Sequence, residues 1–159
     1  MEYRIATYEE VSKQFDWLIE THENKEDWTA WKNEYLSNIK HGIMIPYYGF
    51  IGEDCICEAY ANISKYADYI VIKRDRPYLS AFRTRKEYRG LGYFSKLFDF
   101  MIKDLKEKGY KRVSVAVEST ETHNIEMYKH FGFNTFLYKD RETYGDGTIH
   151  EIEYYEKQL

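Results

Sequence analysis

Cysteine, proline and long apolar runs are all scarce in this chain of 159 residues. Cys55 and Cys57, spaced C-x-C, are the only cysteines. Two thiols do not make a disulfide scaffold, and a metal site needs further ligands that no suitably spaced His or Cys pair supplies. Residues i and i+2 of a strand share a face, so both thiols are expected to pack together as small hydrophobic groups. No apolar run approaches the length of a membrane-spanning helix, so no membrane partner is expected. The opening stretch MEYRIATYEE is acidic and mixed, without the basic flank and apolar core of a signal peptide, and a cytoplasmic location is the resulting expectation. An excess of positive charge is also lacking. The 23 Lys and Arg against 27 Asp and Glu leave a net charge of −4, the wrong sign for a nucleic-acid footprint.

The chain is instead rich in aromatics, with 17 Tyr, 9 Phe and 3 Trp, residues that suit core edges and ligand clefts alike. No repeat, low-complexity segment or break in composition divides it, so residues 1–159 read as a single domain. YRIA (3–6) reads as a first strand. Thr7 and Glu10 form a capping-box pattern that starts a helix near residue 8. A second helix spans about 26–40, with Trp28, Trp31, Tyr35 and Ile39 along one side. IMIPYYGFI and CICEAYANIS read as strands of a hairpin, YIVI as a short strand within a loop, and YLSAFRT (78–84) as a further strand. Phe94, Leu97, Phe98, Met101, Ile102 and Leu105 recur at helical spacing, and Gly109 stops that helix. RVSVAVE (112–118) alternates as a strand, ETHNIEMYKHFG reads as a shorter helix, and FNTFLY and TIHEIEYYE form a last hairpin through YGDG. The order β-α-α-β-β-β-α-β-α-β-β predicts an α/β fold with one mixed sheet.

The stretch RKEYRGLGYFSKLF (85–98) carries the chemistry. Two glycines stand where a strand hands over to a helix, beside Arg85, Lys86 and Arg89. This is a tight turn, or a cradle in which free helix N–H groups and cations hold phosphate. It is not a P-loop, because no Gly-Lys-Ser/Thr follows, and it lacks the third glycine of a dinucleotide fingerprint.

TRKEYRGLGYFSKLF followed by MYKHFGF resembles the GNAT family of N-acetyltransferases. The family's pyrophosphate pattern is Gln/Arg-x-x-Gly-x-Gly/Ala. Arg89, Gly90, Leu91, Gly92, Tyr93 and Phe94 occupy it, with Arg89 and Gly92 matching and Phe94 departing. Tyr128, Gly132 and Phe133 match the family's second signature. Seven residues before that tyrosine, where many members carry asparagine, stands Glu121, and Asn124 lies one turn before Tyr128. The resemblance implies a mostly antiparallel sheet of six or seven strands flanked by about four helices. It implies acetyl transfer from acetyl-CoA to a small-molecule or peptide amine by direct attack, without a covalent acyl-enzyme.

By position, the backbone of Phe82, Arg83 and Thr84 would hold pantetheine, and the amides from Gly90 to Ser95 the pyrophosphate, with Arg89 and Asn124 assisting. Tyr128 would be the general acid. Glu118, Glu58 or a water chain would be the base, while His123 and His150 have no supporting pattern. ETHENKEDW (20–28) and KDRETYGDGTIHE (139–151) would build the acceptor site, with Trp28, Tyr47 and Tyr144 as ring faces for a cation. Many members of this family dimerise, so a homodimer is possible. Two further readings use the same residues: a non-catalytic acyl-CoA-binding module, and a nucleic-acid binder using Arg83, Arg85, Lys86 and Arg89.

Overall fold

Thr7 starts the first helix as its spacing requires. Its Oγ1 accepts the Glu10 N–H at 3.2 Å, and its own N–H donates to Glu10 Oε2 at 2.8 Å. Arg4 Nη1 donates to the same carboxylate at 2.7 Å. That bond, more than the capping contacts, pulls the Glu10 carboxyl from its ordinary value of 4.5 down to about 2. A depressed carboxyl stabilises the fold fully above its unfolded value, and the contribution disappears as pH falls from about 4.5 through about 2. Glu10→Gln should therefore cost about 1 kcal/mol at neutral pH, discounted for exposure, with the difference from wild type shrinking on acidification. Urea melts at pH 7 and pH 3 would measure it.

The computed structural model describes residues 1–63 and 72–159. All but the last residue of the expected YIVI strand lies outside the described residues. The strands are β1 (Glu2–Ile5), β2 (Met44–Ile51), β3 (Asp54–Asn62), β4 (Tyr78–Thr84), β5 (Arg112–Glu118), β6 (Thr135–Thr143) and β7 (Ile149–Gln158). The helices are α1 (Tyr8–Thr21), α2 (Lys25–Lys40), α3 (Tyr93–Glu107) and α4 (Thr122–His130), with a 3₁₀ turn at Lys86–Tyr88. The seven strands form one mixed sheet in the order β1-β2-β3-β4-β5-β7-β6, parallel only between β4 and β5. The element order agrees with the sequence reading. The last hairpin is longer than expected: β6 continues to Thr143, although all of its residues past Tyr138 are exposed and polar. Ladder hydrogen bonds to β7, rather than burial, keep it extended.

The sheet buries both faces. Leu97, Phe98, Met101 and Leu105 of α3 pack with Ala59, Ala61 and Leu79 on one side. On the other, Val11, Phe15 and Leu18 of α1 and Leu36 of α2 cover Tyr48, Phe50 and Tyr60. The aromatic side expected of α2 is only partly realised: Trp31 is 41 % exposed and Leu36 is the buried residue. Cys55 and Cys57 are both buried, but not together. Cys57 belongs to the α3 side and Cys55 to the α1 side. The pairing slips between Gly49 and Phe50, so β3 carries an extra residue at Ile56 and the alternation reverses.

One partly buried ionic cluster matters for the site. Glu156 Oε2 of β7 accepts from Arg76 Nη1 at 2.7 Å and from Arg112 Nη1 at 3.1 Å, while Arg112 Nη2 reaches Asp75 at 2.7 Å. With the N–H groups of Arg112 and Ser114 donating to Asp75 O and Pro77 O, it clamps the start of β4 to the start of β5.

Candidate active site

Beyond that clamp β4 and β5 part. Tyr78↔Ser114 is their one registered pair. The remaining edge of β4, from Leu79 to Thr84, does not pair with β5, so its outward backbone groups are available to a ligand. Within the stretch, Ala81 has φ +55°, the one non-glycine with positive φ among the described residues. Glu58 pairs with Arg83 but Tyr60 with Ser80, so β4 bulges at Ala81 and Phe82. The bulge sends the Phe82 ring to the α3 side, 5.9 Å from Tyr128, while Ala81 packs on the α1 side. Nothing in the composition of YLSAFRT signals it.

The glycine turn opens a groove of about 290 Å³ between the start of α3 and α4, lined by Thr84, Gly90, Gly92, Phe94, Ser95 and Met127. Gly90 and Gly92 have φ +75° and +82°, values at which an L side chain is strained. Gly92 caps α3 in the left-handed conformation. No side chain caps this helix and its first turn holds no acid. The first-turn amides of α3 and its positive dipole end are thus left uncompensated, facing the groove. Phe94 does not obstruct it: its ring turns into the core, 5.1 Å from Phe82 and 6.1 Å from Phe131. Arg89 Nε donates to Thr84 O at 3.0 Å and ties the turn to the end of β4. Leu91 and Tyr93 lie at the turn and the helix start, Leu91 62 % exposed and Tyr93 half-buried.

Tyr128 stands across from β4 on α4, its ring between Phe82 and Phe133, 6.0 Å from the latter. Burial, and then the charge of Glu121, raises its phenol above the usual value. It therefore stays protonated at neutral pH. Asn124 does not join the groove lining; its Nδ2 donates to Glu121 Oε2 at 2.8 Å within the first turn of α4.

Glu118 ends β5. Tyr144 Oη donates to its Oε1 at 2.8 Å, and His150 Nδ1 lies 3.1 Å from the same oxygen. The rings of Tyr144 and His150 stack at 3.8 Å. The register of the last hairpin, Glu142↔His150, makes this meeting possible. Glu118, Glu121 and Glu142 with Tyr78 and Tyr144 line a cavity of about 300 Å³ beside the parting strands. Two phenols of this cavity are pushed up to about 12, Tyr144 chiefly by its hydrogen bond to Glu118 and Tyr78 chiefly by burial and then by the charge of Glu142.

Two expected participants stand elsewhere. Glu58 is 1 % exposed and locked against the Arg83 Nε and Nη2 groups, so it has no open face for an amine. Tyr47 is fully buried and donates to Asp104 at 2.6 Å, a strut between β2 and α3. Trp28 already carries the Arg83 guanidinium on its ring, at 5.2 Å.

Residues 4–133 match the profile of the acetyltransferase (GNAT) family. The chain belongs to that family. Its reaction class is accordingly acyl transfer. No curated protein matches it in sequence. Among solved structures, it is similar to a ribosomal-protein-alanine N-acetyltransferase from Brucella melitensis, with TM-score 0.71, 15% identity and 100% of both chains covered. It is also similar to an N-acetyltransferase from Staphylococcus aureus Mu50, with TM-score 0.70, 14% identity and 99% and 97% covered. A spermidine N-acetyltransferase chimera from Vibrio cholerae gives TM-score 0.69 at 9% identity, with 99% and 96% covered. At these identities the likeness is one of fold. Among the described residues no helix is long and apolar enough to cross a membrane, and no group of His, Cys, Asp and Glu could hold a metal.

Proposed function

We propose that residues 1–159 form a single N-acetyltransferase domain that moves an acetyl group from acetyl-CoA to a primary amine of a small molecule or peptide. The uncapped start of α3 carries this reading. The first-turn N–H groups of this helix have no side-chain cap, and here left-handed glycines bring the backbone close enough for an anion to take the place of water on them. The amides from Gly90 to Ser95 fit a diphosphate, and the unpaired edge of β4 at Phe82, Arg83 and Thr84 fits an extended amide-bearing chain. The coenzyme, when bound, supplies the acyl thioester.

The remaining work falls to side chains. A fixed amide at the β4 edge near Thr84 stabilises charge developing on a carbonyl oxygen without reorganising. Tyr128 holds a proton on Oη and releases it toward the leaving group. Glu118 takes a proton at its carboxylate, with Tyr144 and His150 fixing its orientation. The surrounding acids draw a cationic amine to the parting strands.

An acceptor screen with acetyl-CoA tests the reading: amino acids, peptides, polyamines and aminoglycosides, with thiol release as the signal. Release with at least one amine class is expected. Tight CoA binding with no release for any amine would instead mean a binding module. Within the acidic cavity, Glu142→Gln is expected to raise KM for a cationic amine about threefold to tenfold with kcat nearly unchanged, because it removes attraction rather than chemistry.

A further inference from the structure

A second cleft, of about 390 Å³, opens on the α1 side of the sheet beyond the end of β4. It is not the coenzyme groove. Its walls come from α1 and β3, those of the groove from α3 and α4, and the two share only Thr84 and Arg89. Apolar surface makes its base: Leu18 and Ile56 are 3 % and 2 % exposed, and the Trp17 ring flanks them. Arg85, Lys86 and Arg89 stand at its mouth, with the exposed Glu87 as the one acid there, since Glu58 is spent on Arg83.

One buried donor beside this cleft has no partner among the described residues: Arg85 Nε is buried and unbonded. Gln14, only 7 % exposed, lines the cleft with its side-chain amide. The Arg85 guanidinium is held 4.2 Å over the Trp17 ring, its nearest acid being Asp54 at 4.0 Å, and its backbone N–H is pinned to Ile56 O at 2.9 Å. A buried donor left unpaired is costly unless something outside the chain completes it. The cleft is too large for a bare ion and sits in the range of small-molecule sites.

We propose that this cleft binds the carboxylate of a small molecule with a flat apolar body. The carboxylate accepts from Arg85 and from the Gln14 amide, and the body lies along Trp17, Leu18 and Ile56. The carboxylate belongs either to the acceptor's own tail or to a separate effector. Neither source requires the coenzyme assignment to hold.

Phenylacetate is the probe and phenylacetamide its neutral counterpart, added to the full chain and followed by NMR at the Trp17 indole N–H and the Gln14 side-chain amide. Phenylacetate should shift both signals saturably and phenylacetamide should not. Arg85→Met should weaken phenylacetate about tenfold, the loss of one charge-assisted contact, and Gln14→Leu by a smaller factor. Thermal melts of both variants confirm that the fold persists. CoA should move the glycine-turn amides and leave Trp17 in place. Equal binding of the neutral amide, no shift up to the solubility limit of phenylacetate, or displacement of phenylacetate by CoA would each overturn the proposal. CoA binding that survives such a failure leaves the coenzyme reading intact. With an acetylated amine in hand, competition between phenylacetate and that amine marks the acceptor's tail, and non-competitive behaviour marks an effector.

Discussion

Tyr128→Phe should lower kcat by about 10² to 10³ while changing CoA affinity less than about threefold, as expected for the loss of a positioned general acid. The ring stays, so its packing between Phe82 and Phe133 persists, and only Oη is removed. The wild-type rate should not decline on the alkaline side until above pH ~10, because burial and the charge of Glu121 both raise this phenol and the proton-bearing form persists below its pKa. A thermal melt within a degree or two of wild type would separate loss of the proton from loss of the fold. Equal losses in CoA binding and turnover would instead mark Tyr128 as packing alone.

Glu118→Gln is the second large effect. The amide oxygen still accepts from Tyr144, so the end of β5 stays in place, but the side chain no longer takes a proton. A fall in kcat of about 10² or more is expected, with KM for the amine changed much less. The contrast with Glu142→Gln is informative, because both remove one negative charge from the same cavity. If the two variants behave alike, Glu118 contributes field rather than proton transfer, and a water chain becomes the base. Steady-state kinetics over a range of amine concentrations resolves the two.

Much of this site is legible in the residues themselves, for physical reasons that can be named. Helical spacing from Phe94 to Leu105 fixes one face, and Gly90 and Gly92 before it announce a left-handed turn. The Asp-Gly of YGDG does the same for the last hairpin, where Gly147 has φ +84°. What escaped depends on register. The slip at Ile56 separates Cys55 from Cys57, and the bulge at Ala81 re-aims Phe82; both follow from how neighbouring strands pair, which no local pattern encodes. His150 is the clearest case. It is unremarkable as a residue of β7, and it meets Glu118 only because the long β6–β7 hairpin closes in one register beside β5. The Glu58–Arg83 pair is likewise invisible until β3 and β4 are laid together. Arg83 thus combines two roles that sequence alone runs together, a backbone at the open strand edge and a guanidinium committed to the opposite side.

The start of α3 is where the account stands most exposed, and the backbone amide resonances of Gly90 to Ser95 during a CoA titration read it directly. Large saturating shifts in that run, smaller ones along Phe82 to Thr84, and a matching heat by calorimetry are the predicted result. Binding that leaves those amides unmoved, or no binding of CoA at all, would contradict it.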